Sequence, residues 1–188
     1  MARPRSDDKK SAIIAGAIRV FSSQGLNAST ASIAKESGVS NGSLFTYFET
    51  KAELLNQLYI ALKKEMATVT LDGMPNEGDI RDQALYMWSQ WLRWATSCIE
   101  KRRTLALLDV SDEITSESRQ IASEAMTGIR ELLNRISEHG SLREAPLGFR
   151  LSLMNGLAEA TIDFMILDPT NADKHCMAGF DAFWRVVA

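Results

Sequence analysis

The stretch Ser29-Thr30-Ala31-Ser32-Ile33-Ala34-Lys35-Glu36-Ser37-Gly38-Val39-Ser40-Asn41-Gly42-Ser43-Leu44-Phe45-Thr46-Tyr47-Phe48-Glu49-Thr50-Lys51-Ala52-Glu53 carries the decisive punctuation. Ser29 is placed to cap a helix from Thr30 to Ser37, which Gly38 stops. Ser40 is placed to cap a second helix, Asn41 to Tyr47. Thr50-Lys51-Ala52-Glu53 reads as a capping box that opens a longer helix reaching about Val69. Leu44 and Phe48, four apart, share one face and are expected to meet Ile33, Ala34 and Phe21 in a small core. Two short helices joined by Gly38-Val39-Ser40 and braced by longer neighbours have the form of a helix-turn-helix.

On the N-terminal side, a helix is expected from Asp7 to Gln24, with Ser6 as N-cap, Asp7 and Asp8 at its positive end, Ile14, Ala17 and Phe21 facing inward, and Gly25 as its stop. On the other side, Leu71-Asp72-Gly73-Met74-Pro75-Asn76-Glu77-Gly78 reads as a loop. Beyond it, apolar residues recurring at three and four predict helices over 79–96, 98–109, 112–138, 147–167 and 170–187. Ser97 to Glu100 forms a further capping box, Ser111 a further cap, and Asp168-Pro169 an N-cap with proline at the first helical position. The chain is therefore expected to be all-α. It divides into residues 1–55, a linking helix to about residue 70, and a larger helical part, 71–188.

Composition narrows the function classes. The 188 residues are 45% hydrophobic and 24% charged, which suits a globular chain and not a disordered one. No apolar run is long enough to span a bilayer, and the first residues have no apolar stretch of the leader type, so a soluble, cytoplasmic protein without membrane contact is expected. Cys98 and Cys176 are too few and too far apart for a disulfide framework or a zinc site. Residues 1–64 carry nine Lys/Arg against five Asp/Glu, a net +4, while the remainder carries twelve against nineteen, a net −7. A basic segment on an acidic body suits a polyanion partner at the N-terminal end, although ordinary solvated charge gives a similar asymmetry. Phosphate loops, nucleotide fingerprints and serine-nucleophile motifs do not occur, so no catalytic residue, cofactor or metal is assigned and no enzyme is expected.

The second short helix has the chemistry that a DNA major groove demands. That groove, about 12 Å wide, admits one helix whose outer side is small, polar and able to reach base edges. Ser40, Asn41, Gly42, Ser43, Phe45 and Thr46 supply such a side. Asn41 can bond adenine at two points, Phe45 or Thr46 can touch a thymine methyl, and Gly42 lets the backbone come close. Thr30, Tyr47 and Lys51 are placed for phosphates, and amides at the start of the next helix would reinforce Lys51. Arg3 and Arg5 could dip into an adjacent minor groove from a flexible arm. The alternative is a polar short helix that merely faces solvent.

The string Phe21-x3-Gly25-x3-Ser29-Thr30-x2-Ile33-Ala34-x2-Ser37-Gly38-Val39-Ser40-x-Gly42-Ser43-Leu44-Phe45-x-Tyr47-Phe48-x2-Lys51-x-Glu53-Leu54-Leu55 resembles, without a gap, the DNA-binding domain of the TetR family of transcriptional regulators. The resemblance implies an N-terminal three-helix DNA-binding domain and a helical ligand-binding and dimerisation domain. It also implies a homodimer on double-stranded operator DNA, released by a small-molecule inducer. Within the family the chain looks most like the RamR-type repressors of multidrug-resistance activators. That likeness rests on Ala2-Arg3-Pro4-Arg5-Ser6, Asp8-Lys9-Lys10, Leu157-Ala158-Glu159-Ala160-Thr161-x-Asp163-Phe164, Asp168-Pro169, Gly179-Phe180 and Trp184-Arg185. Family members usually carry Tyr where this chain has Phe45, so a role for Phe45 must be apolar.

In the larger part, Trp88, Trp91 and Trp94 fall on an arc of one helix. Trp88 and Trp91, with Met126 and Met154, are candidates to line a site for a flat, apolar or cationic compound. The alternative is that Trp88 and Trp91 are core and Trp94 is partly exposed. Helices 147–167 and 170–187 present Leu151, Met154, Leu157, Ala158, Ile162, Met165, Phe180, Phe183, Trp184 and Val187, with small residues for close approach, and are assigned to the homodimer, the alternative being that they finish a single copy's own core. Glu159 and Asp163 lack a third ligand nearby for a metal, and the adjacent pair His175-Cys176 points to different helix faces.

Overall fold

The computed structural model describes residues 4–75 and 78–188, of which 4–7 by backbone alone. Among the described residues there are helices and no strands: α1 (Pro4–Gln24), α2 (Thr30–Glu36), α3 (Asn41–Tyr47), α4 (Lys51–Leu71), α5 (Ile80–Ser97), α6 (Ile99–Asp109), α7 (Ser116–Ala125), α8 (Thr127–Ile136), α9 (Leu147–Leu167), a 3-10 turn (Pro169–Asn171) and α10 (Ala172–Val187). The all-α expectation is met.

The chain packs as two compact units that do not follow chain order, Met1–Lys63 with Cys98–Ser123, and Lys64–Ser97 with Glu124–Ala188. In the first unit, Ile13, Ala17 and Phe21 of α1, Ile33 and Ala34 of α2, Leu44 of α3, Phe48, and Leu54 and Leu58 of α4 are buried. Removing this apolar surface from water drives the unit together. Segment 98–123 joins it through α6, whose buried Thr104 donates its hydroxyl to the Ile18 carbonyl at 3.1 Å. In the second unit, α9 and α10 lie so close that a Cβ on Gly179 would run into Thr161. Trp88, Met154, Ile162, Phe180 and Phe183 fill its interior.

Four boundaries differ from the sequence reading. Helix α1 begins at Pro4, not Asp7, because proline needs no amide partner at a first helical position, so Ser6 lies inside the helix and not at its cap. Its inward residue is Ile13, and Ile14 is half-buried. The expected 112–138 helix is two helices. Ser111 accepts the Glu113 amide at 3.2 Å in a turn, and Thr115 caps α7 by accepting the Ser118 amide at 3.2 Å. The break falls at Met126, where the Thr127 hydroxyl takes the Glu124 carbonyl at 2.8 Å. At the start of α6 the cap position falls on Cys98, while Ser97 closes α5 and donates to the Arg93 carbonyl at 2.6 Å.

The last difference is at Asp168, which stands at the expected cap position ahead of Pro169 but opens a 3-10 turn and not α10 itself. Its carboxylate accepts from the Thr170 hydroxyl, the Asn171 amide and His175 at 2.9, 2.9 and 3.1 Å, which makes a 3-10 turn ahead of α10. The Asn171 bond first, then His175 and Thr170, hold this carboxyl below the usual aspartate range.

In the first unit, side chains of α4 and α7 grip the segment that follows α6. Asn56 donates to the Glu113 carbonyl at 2.8 Å and accepts the Thr115 amide at 2.9 Å. Arg119 donates to the carbonyls of Asp109 and Ser111 at 3.0 and 2.9 Å. Lys63 pairs with Asp109 at 2.8 Å. Tyr59 sits among these groups, and burial, followed by the negative Asp109, pushes its phenol up to about 12 against the opposing pull of Arg119.

A raised phenol pKa in the folded state supports folding fully below the unfolded value near 10, and that support disappears as pH climbs toward the folded value. Urea unfolding between about pH 9 and about pH 11 should therefore show a fall in stability that Tyr59→Phe reduces. Equal falls in both proteins would contradict this placement of the phenol.

Candidate nucleic-acid interface

The polar helix α3 is held by local bonds at both ends and by two apolar anchors. Ser40 has extended backbone, and its hydroxyl oxygen accepts the Ser43 amide at 3.1 Å, so the cap is built as its spacing predicts. Ser29 does the same for α2 by accepting the Ser32 amide at 3.1 Å. Between them Gly38 adopts φ +67°, a left-handed conformation that glycine takes without penalty, and Val39 donates back to the Ala34 carbonyl at 3.0 Å. Leu44 and Phe48 are fully buried, which fixes the rotation of α3 and turns its opposite side outward.

That outer side contains Ser40, Asn41, Gly42, Phe45 and Thr46, all exposed, with Ser43 and Tyr47 half-buried at its margins. A Cβ on Gly42 would meet nothing within 4 Å, so the backbone there is open to close approach. Phe45 is 42% exposed, an unusual position for a large aromatic ring. Thr46 turns its hydroxyl back onto the Gly42 carbonyl at 3.2 Å. Thr30 begins α2 and Lys51 begins α4, both half-buried.

The amides near Lys51 are partly committed. Thr50 accepts the Glu53 amide at 3.0 Å, and the Glu53 carboxylate reaches back to the Glu49 amide at 2.6 Å. The capping box is thus formed, and Lys51 supplies the cationic part of any phosphate contact there. Arg3 and the side chain of Arg5 lie outside the described residues. The backbone of Arg5 belongs to the first turn of α1 and not to an extended arm, because the helix starts at Pro4.

A cation that the sequence reading passed over is Lys10. It is exposed on α1, with its Nζ 5.5 Å from the Phe48 ring centroid, beside the C-terminal end of α3. Periodicity along α1 marks Lys10 as outward; its nearness to α3 depends on how the helices pack. Arg19 is engaged elsewhere, pairing with Glu36 at 2.6 Å.

The second unit brings two of the four candidate ligand residues together. Trp88 and Trp91 meet edge-to-face with ring centroids 6.2 Å apart. Trp88 is fully buried, stacks on Phe183 at 5.3 Å and donates its indole N–H to the Cys176 carbonyl at 3.1 Å. Trp91 is half-buried. Met154 is buried on α9, and Met126 is half-buried at the α7–α8 break. Trp94 is not exposed: it is buried and donates to Glu65 at 2.9 Å.

Burial pushes the Cys176 thiol up, which makes it a poorer nucleophile. Its sulfur lies 3.9 Å from the Ser89 hydroxyl, whereas the adjacent His175 faces Asp168. No group of three or more potential metal ligands occurs among the described residues, and none of their helices is long and apolar enough to cross a membrane.

Comparison with known proteins places this geometry. Residues 13–58 match the family model for bacterial regulatory proteins of the tetR family. The solved structure of a candidate TetR-family transcription regulator from Shewanella sp. PV-4 is similar, with 30% identity and a TM-score of 0.83 over 94% of this chain and 96% of that one. LfrR of Mycobacterium smegmatis, solved with proflavine, shares the fold at 16% identity and a TM-score of 0.71, over 96% of this chain and 98% of that one. FadR of Bacillus subtilis, solved with stearoyl-CoA, shares it at 15% identity and a TM-score of 0.70, over 95% of this chain and all of the other. The capped helix pair of α2 and α3, the matched N-terminal segment and the Shewanella likeness along nearly the whole length agree: the chain belongs to the TetR family, whose members regulate transcription and are not enzymes.

Proposed function

We propose that the protein is a ligand-responsive transcriptional repressor of the RamR type, cytoplasmic, which binds a palindromic operator as a homodimer. The observation that carries this reading is the outer side of α3, small and polar around an exposed Phe45, fixed by buried Leu44 and Phe48. Residues 1–55 form the DNA-binding head. Asn41, Thr46 and Phe45 face bases, with Ser40, Gly42 and Ser43 close to the groove. Thr30, Tyr47 and Lys51 hold phosphates, with Arg3 and Arg5 at the N-terminus as further cations. Two heads about 34–36 Å apart would meet successive turns of one duplex face.

Residues 71–188 serve dimerisation and ligand binding in this reading. Of the residues read from the sequence as the dimer face, Met154, Ala158, Ile162, Met165, Phe180, Phe183 and Val187 are buried in the protomer's own core; exposed Phe149, Phe164 and Leu167 on α9 and Met177 on α10 are surface that a second copy would cover. Trp91 and Met126 retain surface for a ligand, whereas Trp88 and Met154 are buried. The neighbours that hold proflavine and stearoyl-CoA support a flat cation or an apolar chain as the class of inducer. A ligand that prefers the DNA-incompetent conformation by about 1.4 kcal/mol weakens DNA binding tenfold. Because Trp88 and Met154 are packed, a regulator without inducer whose body docks a protein partner is the second reading. Quenching of indole fluorescence by cationic drugs, together with release of DNA, separates the two.

The DNA surface is tested by two kinds of variant. Asn41→Ala and Thr46→Ala should relax sequence preference, with about 1–3 kcal/mol of discrimination lost at the base concerned. Lys51→Ala should weaken all duplexes alike and reduce the salt dependence of binding by about one phosphate contact. Gel shifts that leave both kinds unchanged would move the interface off α3.

A further inference from the structure

We infer that this protein reads its operator chiefly through thymine 5-methyl groups, with Phe45 and the Thr46 methyl as the specificity-determining contacts beside a single adenine read by Asn41. The inference rests on the reading of α3 as the base-facing helix and says what that helix reads. Its starting point is where the hydroxyls on the outer side are directed. The Ser40 oxygen accepts the Ser43 amide at 3.1 Å, which pins this hydroxyl at the helix cap and leaves its proton to donate. The Thr46 hydroxyl donates to the Gly42 carbonyl at 3.2 Å, so toward a base it can only accept, and its methyl is the part that differs from serine. Gly42 carries no side chain at all. The exposed side chains of that ridge that bond no backbone group of their own helix are the Asn41 amide and, four residues on, the Phe45 ring at 42% exposure, with the Ser43 hydroxyl half-buried at the margin.

Asn41 and Phe45 lie on the same helix face because they are four apart. Four residues advance about 6 Å along a helix, close to two base steps of about 3.4 Å. An amide fits adenine by donating to N7 and accepting from N6. An aromatic ring without a phenol offers a base edge no hydrogen bond, and the apolar feature of the major groove is the thymine methyl. The half-site that fits is therefore an adenine with one or two thymines about two steps away.

The test uses the full-length protein. Duplexes are selected from a random pool, and the thymines of the enriched half-site are replaced one at a time by deoxyuridine, which removes the 5-methyl and leaves pairing intact. Each contacted methyl should be worth about fourfold in Kd, the equivalent of one buried methylene. Phe45→Ala and Thr46→Ser, both at exposed positions, should each lose the sensitivity at the thymine that side chain contacts and keep it at the other, while Phe45→Tyr keeps the ring and should stay sensitive. A strongly enriched half-site whose deoxyuridine duplexes bind as tightly as the parent would overturn the inference and leave the DNA-binding reading standing. Undiminished sensitivity in both Phe45→Ala and Thr46→Ser would also overturn it. A pool with no enriched sequence would remove the DNA-binding reading and this inference with it.

Discussion

Phe48→Ala is expected to lower the stability of the N-terminal unit by about 3–5 kcal/mol, the usual cost of deleting a fully buried phenylalanine. The ring is inaccessible to solvent at the C-terminal end of α3, where the chain leaves the helix in extended conformation. Together with Leu44 it sets which side of α3 faces inward. Loss of the ring therefore removes packing and frees the rotation of the helix that reads DNA, so operator binding should fall even at temperatures where the variant remains folded. Denaturant unfolding and DNA titration of the same sample measure the two effects. A variant as stable as the parent, with unchanged affinity, would mean that α3 is held by something other than these anchors.

Trp88→Ala should cost the second unit a similar amount, about 3–5 kcal/mol. The indole is fully buried, stacks on Phe183 and donates to the Cys176 carbonyl, so truncation opens a cavity and removes a buried hydrogen bond. Trp88→Phe should recover most of the packing while still losing the hydrogen bond, at a cost of about 1 kcal/mol. Trp91→Ala should cost well under the Trp88 value because half-buried side chains remove less apolar surface from water. Thermal unfolding of the three variants ranks these effects. Equal losses at both tryptophans would contradict a core role for one and a surface role for its neighbour.

The parts of the fold that were legible in the sequence are those whose bonds are local. Ser29, Ser40 and Thr50 each accept an amide three residues on, and the starts of α2, α3 and α4 follow from those bonds. The helix Leu147–Leu167 was equally plain between Pro146 and Asp168. The illegible parts depend on partners far along the chain. The return of segment 98–123 to the N-terminal unit is made by Thr104 on Ile18 and by Asn56 on residues 113 and 115, none of which leaves a periodic mark. Trp94 could not be told from Trp91 by spacing, because the Glu65 that its indole bonds lies on another helix. The break at Met126 interrupts a pattern that remains helical on both sides.

For the interface, the residue list was legible and the state of the hydroxyls was not. Ser40 and Thr46 are polar in the sequence, and both bond backbone groups in the fold. Lys10 joined the candidates through its position near Phe48, which no motif announces.

The central claim, that α3 selects one sequence among many, is tested most directly by the ratio of two dissociation constants at one fixed salt concentration. Fluorescence anisotropy with the duplex most enriched by selection from a random pool, against a scrambled duplex of equal length and composition, supplies it. The account predicts a preference of at least about a thousandfold, typical of specific over non-specific binding. Equal affinities for the two duplexes would contradict it.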